Sequence, residues 1–123
     1  MTGTATPAQW AALALIEHSD TVLAEARAAV GARWEALAGA LREELGQTVA
    51  PPDGTFYHFM ALPEAAHADP VAFCLKLRDE AKVVLIPGLA FGEGGRRHAR
   101  LSFAATPEQL REGVKRLAPY WKN

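Results

Sequence analysis

The chain has 123 residues, half of them hydrophobic, and its 13 basic side chains are balanced by 14 acidic ones. This length fits one compact domain, and the charge balance argues against a dedicated nucleic-acid-binding protein, which needs an excess of positive charge on one face. One cysteine excludes an internal disulfide and a multi-cysteine metal site, and no apolar segment approaches the roughly 18 residues of a membrane span. We therefore expect a cytoplasmic protein without nucleic-acid or membrane partners.

Three predicted helices begin with the same signal, a side chain suited to capping followed by proline: Thr6-Pro7, Asp69-Pro70 and Thr106-Pro107. Gln9 and Gln109 stand three residues after the two threonines. This spacing predicts a capping box at the start of the first and the last helix.

The first predicted helix, residues 7–18, is apolar around nearly its whole circumference, a pattern typical of a helix that is buried on all sides. Ser19 and Asp20 interrupt the pattern and can cap a second helix, which runs to about Leu45. Its apolar residues recur at spacings of three and four, and Gly46 supplies the stop signal. The second helix is therefore predicted to be much longer than the mean of about 11–12 residues.

Residues 51–54, PPDG, predict a turn between two short strands at 47–50 and 55–62. In the second strand, Tyr57 and Phe59 share one face. The remaining predicted elements follow in the order helix, strand, glycine-rich loop, strand and helix: 70–81, 83–87, 88–95, 98–104 and 107–117. The element order α-α-β-β-α-β-β-α indicates an α/β or α+β layered domain.

Most chemical candidates have an ordinary structural interpretation. The loop 88–95 is rich in glycine, but it lacks the residue order of a phosphate-binding loop and leads into a strand, so we interpret it as a flexible rim around a pocket. Cys74 lies with Val71, Leu75 and Leu77 on the predicted inward side of its helix and is interpreted as a core residue. The four histidines have no metal-ligand spacing, and no residue pair suggests a nucleophile, so no metal site is expected.

Arg100 is harder to explain. Alternation in the last strand places Ala99, Leu101 and Phe103 on one face and His98 and Arg100 on the other. A solvent-facing strand would account for the arginine. Alternatively, its planar guanidinium binds a carboxylate inside a pocket, and the pattern alone leaves both interpretations open.

Longer strings around Arg100 carry a family resemblance. GTFYHFMALPE at 54–64, VVLIPGLAFGEGGRRHARLSFA at 83–104 and TPEQLREGVKRLAPYW at 106–121 resemble the C-terminal region of class I/II, fold-type I, pyridoxal-phosphate-dependent aminotransferases. The opening ATPAQWAALALIEHSD looks like the segment that, in this family, follows the cofactor-binding core. The most specific part is PG-x-x-FG, a glycine-rich spacer and an arginine that begins R-L-S-F-A.

The resemblance implies a role for Arg100, since the matching arginine of the family binds the α-carboxylate of the amino-acid substrate. It also implies a set of residues near the substrate entrance: Gly54, Thr55, Phe56, Tyr57 and Phe91. The implied fold is a small domain with two N-terminal helices, one of them long, and a mainly antiparallel sheet with helices packed on one face. Residues 1–20 are expected to connect to a large domain that is missing here, and residues 21–123 to form the C-terminal small domain.

The family attaches pyridoxal phosphate to a lysine in a serine- and lysine-containing motif. None of the lysines of this chain, Lys76, Lys82, Lys115 and Lys122, lies in such a motif. We therefore expect the cofactor only in a complete enzyme, a homodimer that transfers an amino group between an amino acid and a 2-oxo acid, and we expect the isolated chain to be inactive. Two alternatives stay open: a stand-alone carboxylate-binding or partner-assembly module, and a non-catalytic structural remnant.

Overall fold

A computed structural model describes residues 3–121. Within this range the chain forms four α-helices and three strands, in the order α1 (Thr6–Glu17), α2 (Ser19–Leu45), β1 (Tyr57–Ala61), α3 (Pro70–Lys76), β2 (Ile86–Pro87), β3 (His98–Ser102) and α4 (Pro107–Trp121). The predicted small α/β domain with a long second helix is confirmed. Among residues 3–121, none of the helices has the length and hydropathy of a membrane-spanning helix.

Helix α2 ends as its sequence predicts. Gly46 adopts a left-handed conformation with φ of 68°, which glycine tolerates without a steric cost. Its N–H donates to the carbonyl of Arg42, and the N–H of Gln47 donates to the carbonyl of Leu41. These two hydrogen bonds satisfy carbonyls that a helix otherwise leaves unpaired at its C-terminus.

The start of α1 differs from the prediction. Thr6 already lies inside the helix and caps nothing, and Gln9 donates its side-chain N–H to the carbonyl of Thr4, at 2.7 Å, instead of closing a capping box. None of the residues of α1 is buried among residues 3–121, so the burial that its apolar pattern predicts is not provided by the described chain. Trp10 and Ile16 are 67% and 71% exposed. The apolar side chains of α1 therefore have no packing partner that buries them within the described chain.

The caps of the two later helices are confirmed. Asp69 accepts a hydrogen bond from the N–H of Ala72 at 2.9 Å. At α4, the hydroxyl of Thr106 accepts from the N–H of Gln109 at 3.3 Å, while the side chain of Gln109 accepts from the N–H of Thr106 at 3.1 Å. This reciprocal pair is the predicted capping box.

Helix α3 continues into a π-helical turn, Leu77–Ala81, so the helical segment ends where the sequence predicts. Cys74 is buried, and burial raises the pKa of its thiol, as expected of a core residue. Val71 and Leu75 were expected to face inward and are instead 42% and 45% exposed. The buried stripe of this helix runs through Pro70, Cys74 and Leu77, and the two exposed residues each lie one position beyond it.

The sheet is antiparallel in the order β1-β3-β2, so β3 is its central strand. Residues 47–50 do not form the predicted strand, and the segment 83–87 is reduced to the two paired residues of β2. A strand requires a partner for its backbone N–H and C=O groups, and neither stretch has one along its full length within the described residues.

The core lies on one face of the sheet, where α2 and α4 pack. Its central residues are Trp34, Leu37 and Leu41 from α2, Ala99, Leu101 and Phe103 from β3 and beyond, and Val114 and Leu117 from α4. The rings of Trp34 and Phe103 lie 5.5 Å apart between centroids. This packing fixes which face of β3 is apolar, and it leaves Arg100 on the opposite face.

Candidate functional site

Arg100 lies at the middle of the central strand. It is directly opposite Phe59 of β1 on one side and Ile86 of β2 on the other. Ala99 is fully buried and Leu101 is 7% exposed, whereas Arg100 is half-buried on the other face. The alternation predicted from the sequence is therefore confirmed, and the arginine lies at a position of the sheet that is paired on both sides.

Two aromatic rings flank the guanidinium of Arg100. Its Cζ atom lies 4.3 Å from the ring centroid of Tyr57 and 5.0 Å from that of Phe91. Both distances fall within the range of cation–π attraction. Such contacts position the guanidinium but occupy none of its five N–H donors with an oxygen acceptor.

The ion-paired arginines among residues 3–121 bind carboxylates close to them in sequence. Arg96 donates two hydrogen bonds to Glu93, at 3.0 and 3.1 Å, and these hydrogen bonds hold the pKa of Glu93 below its usual value. Arg78 and Arg116 pair with Asp79 and Glu112. Among residues 3–121, no carboxylate lies within 4.0 Å of the Arg100 nitrogens. Its planar fork is thus able to accept a carboxylate from outside the described chain.

The loop that carries Phe91 is built from two 3₁₀ turns, Gly88–Phe91 and Glu93–Gly95. The two turns touch through glycine. A Cβ atom on Gly88 would collide with the carbonyl oxygen of Gly95 and would lie 2.6 Å from Cζ of Phe59. The sequence predicts a flexible rim here, but the structure has a loop packed against itself and against β1.

Phe59 connects several parts of this face. Its ring lies parallel to the imidazole of His98, with 5.2 Å between centroids, and edge-on to Phe91 at 6.1 Å. Neither Phe59 nor His98 is among the substrate-site residues that the sequence predicts. Alternation places Phe59 beside Tyr57, but only the register of β1 against β3 brings it opposite Arg100.

Gly54, Thr55 and Phe56 are placed elsewhere. They line a cleft of about 650 Å³ between α2 and the 51–56 segment, together with Trp34 and Phe103, and Arg100 does not line this cleft. Phe56 still touches Tyr57, with 4.4 Å between ring centroids. Of the six residues predicted for the substrate site, the structure thus brings together Arg100, Tyr57 and Phe91.

Thr55 has a φ of 71°. A β-branched residue rarely adopts this left-handed conformation, so the backbone is strained immediately before β1. His58, by contrast, faces the core, where its ring meets Trp34 edge-on at 5.4 Å. Burial lowers the pKa of His58, which favours a neutral imidazole.

The three lysines of the described residues lie on helices or at a helix end. Lys76 lies over the ring of Tyr120 at 5.6 Å, Lys82 donates to the carbonyl of Asp79 at 2.7 Å, and Lys115 lies on α4. None of these three lysines belongs to the sheet that carries Arg100. Lys122 lies outside the described residues. Residues 3–121 also contain no group of histidine, cysteine and acidic side chains able to hold a metal ion.

Known proteins resemble this chain in sequence and in fold. A family model described as aminotransferase class I and II matches residues 1–117. The LL-diaminopimelate aminotransferase of Dehalococcoides mccartyi is 30% identical over 115 residues, which are 94% of this chain and 29% of that protein. Transaminase BacF of Bacillus subtilis is 40% identical over 78 residues, which are 61% of this chain and 18% of that protein.

Among solved structures, N-succinyldiaminopimelate aminotransferase from Mycobacterium tuberculosis superposes with a TM-score of 0.74 at 26% identity. The match covers 90% of this chain and 29% of that one. The chain therefore spans less than a third of the length of these relatives.

Proposed function

This chain belongs to the class I and II aminotransferases, and from that premise we propose that it is the C-terminal small domain of a pyridoxal-phosphate-dependent enzyme. In the complete enzyme, Arg100 binds the carboxylate of the amino-acid or 2-oxo-acid substrate between which the amino group is transferred. The complete enzyme is a homodimer whose large domain holds the cofactor.

The observation that carries the proposal is the state of the Arg100 guanidinium. It lies within cation–π distance of both Tyr57 and Phe91, yet no carboxylate of residues 3–121 neutralises it. A charged group that is half-buried and preorganised, with unused donors, is suited to a planar anion. A substrate carboxylate is the planar anion that this family handles.

In this proposal the large domain, and not this chain, binds the cofactor. None of the described lysines belongs to the sheet that carries Arg100, and we assign this chain no transamination of its own. Its contribution is to bind the substrate carboxylate and to present Arg100 on a rigid strand. The lysine that binds the cofactor belongs to the large domain.

Exposed apolar side chains of α1 support the proposed connection to the large domain. They include Trp10, Leu15 and Ile16. Contiguous exposed apolar surface marks a binding surface in soluble proteins. We assign residues 1–20 to a connection that packs on the large domain and residues 21–123 to the small domain.

A titration with pyruvate tests the carboxylate role of Arg100. The chain is labelled with ¹⁵N, and the Nε–H resonance of Arg100 is followed at low ionic strength, because salt screens an exposed ion pair. Pyruvamide, which lacks the negative charge, is the matched ligand. We expect a saturable shift with pyruvate and none with pyruvamide.

Two variants complete this test. Arg100→Leu lacks the reporting side chain, so its affinity is read from the backbone N–H resonances of β3; pyruvate binding should weaken at least about 5-fold, the equivalent of about 1 kcal/mol for one ion pair. Arg97→Leu is the matched control, because Arg97 is an exposed arginine just before β3. Equal losses in both variants, or equal affinity for pyruvate and pyruvamide, would remove Arg100 from the site.

A further inference from the structure

Phe59 lies opposite Arg100 and contacts Phe91, one of the two aromatic residues beside the guanidinium. Its backbone is in register with Arg100, so the two side chains rise from the same face of neighbouring strands. The ring is 44% exposed and therefore not a core residue of the domain. Its ring contacts lie in the glycine loop and in β3, which surround Arg100.

The tip of the Phe59 ring packs directly against the glycine loop. Its Cζ atom would lie 2.6 Å from a Cβ on Gly88 and 3.1 Å from a Cβ on Gly95. These distances are shorter than ordinary carbon contacts of about 3.5–4.0 Å, so only glycine fits at both positions while the ring is present. The two 3₁₀ turns of the loop thus rest on this ring.

The Phe59 ring also contacts the side chain of Phe91 in the same loop. Phe91 meets Phe59 edge-on at 6.1 Å, with 76° between ring planes, and Phe91 in turn lies 5.0 Å from Cζ of Arg100. On its other side Phe59 stacks on His98, two residues before Arg100 in β3, with 9° between ring planes. An edge-to-face contact and a stacked contact together restrict both the height and the tilt of the ring.

We propose that Phe59 is a positioning residue for the Arg100 site: it fixes the glycine loop 88–95 and so holds Phe91 against the guanidinium. In this arrangement Phe59 acts through Phe91, which contacts both the Phe59 ring and the guanidinium. The functional consequence, tighter binding of a substrate carboxylate, rests on the role proposed above for Arg100. The positioning itself depends only on the contacts among Phe59, the loop and Phe91.

The Nε–H resonance of Arg100 reports this positioning without any activity. Protons that lie over aromatic rings are shifted upfield, so this resonance should lie upfield of those of exposed arginines such as Arg97. Phe91→Leu removes one ring directly and calibrates its share of the shift. Phe59→Leu should move the Arg100 resonance in the same direction, because Phe91 loses its support.

A matched control separates positioning from general loss of stability. Phe73 is a partly buried phenylalanine of α3 that packs on Trp121, away from the Arg100 face. Phe73→Leu should leave the Arg100 resonance unchanged. If Phe59→Leu loses its folded spectrum, Phe59→Met, which keeps most of the side-chain volume, provides the same comparison.

The outcomes distinguish this proposal from the carboxylate role. An Arg100 resonance that moves in Phe91→Leu but stays in place in Phe59→Leu would overturn the positioning role. The same holds if Phe91→Leu itself has no effect, because the premise of stacking then fails. If pyruvate does not bind the wild-type chain, the carboxylate role fails while the resonance still decides the role of Phe59. Where pyruvate binds, Phe59→Leu should weaken it about 2- to 10-fold, the scale of one cation–π contact.

Discussion

Gly88→Ala provides a sharp test of the packing beneath the Arg100 site. Gly88 does not have a positive φ, so alanine is allowed by the backbone and the penalty is steric. Its Cβ would lie 2.6 Å from Cζ of Phe59 and 2.7 Å from the carbonyl oxygen of His98, and it would collide with the carbonyl oxygen of Gly95. Relief requires a shift on the order of 1 Å against contacts that normally lie about 3.5–4.0 Å apart.

Backbone neighbours make this shift costly. The carbonyl of His98 belongs to the first residue of β3 and that of Gly95 to the second 3₁₀ turn, so neither can rotate away as a side chain does. Overpacking of this kind costs about 1–3 kcal/mol. Urea denaturation followed by circular dichroism should therefore show a midpoint lowered on the order of 1 M, given a slope of about 1–3 kcal/mol per M.

Gly94→Ala is the matched control in the same loop. Gly94 has no positive φ, and a Cβ there would have no neighbour within 4 Å. Its stability should stay within about 0.5 kcal/mol of wild type or rise slightly, because alanine reduces the entropy of the unfolded chain. Equal stability of Gly88→Ala and wild type would refute the close packing of Gly88, Gly95 and Phe59.

Four further outcomes are expected. In a full-length enzyme, Arg100→Leu should weaken amino-acid substrates by about 2–5 kcal/mol while cofactor absorbance is retained; unchanged substrate kinetics would contradict the assignment. Thr106→Ala should cost about 1 kcal/mol in urea denaturation because it removes a helix cap, whereas Thr6→Ala should cost less than about 0.5, since Thr6 caps nothing. The free energy of unfolding should fall as the pH drops below 6.5, by at most about 1.4 kcal/mol per pH unit for this group, because burial lowers the pKa of His58 and the unfolded chain takes up the proton first. A pH series should be flatter for His58→Gln, and an identical slope would show that another group titrates. Pyridoxal phosphate followed by borohydride should label the lysines of this chain weakly and at several positions by mass mapping; saturable labelling of one lysine would reverse the assignment of the cofactor to the large domain.

The sequence alone predicts those helix ends that depend on groups a few residues apart. The cap at Asp69, the capping box of Thr106 and Gln109, and the glycine stop at Gly46 each involve groups only a few residues apart, so the letters suffice to predict them. The same holds for the two faces of β3, because alternation is a property of a strand by itself. Thr6 carried the same signal as Thr106 but no cap formed, because the chain enters the helix one residue earlier.

What the sequence could not determine depends on pairing between distant segments. Residues 47–50 have a strand-like composition but no partner, and Val71 and Leu75 are apolar but lie beside the buried stripe of α3. The separation of Gly54, Thr55 and Phe56 from Arg100 also depends on where the 51–56 segment meets α2. Burial and pairing are set by the partner surface, which local composition does not specify.

Sequence alone thus determined the family, the order of the elements and the choice of Arg100 as the residue that most needed a functional explanation. The tertiary structure decided which residues surround Arg100. It placed Phe59 opposite the arginine through strand register, brought Phe91 over the guanidinium through two glycines that touch, and kept the carboxylates of residues 3–121 more than 4.0 Å away. Register and loop closure join residues far apart in the chain, and their energies depend on three-dimensional packing that no local pattern encodes.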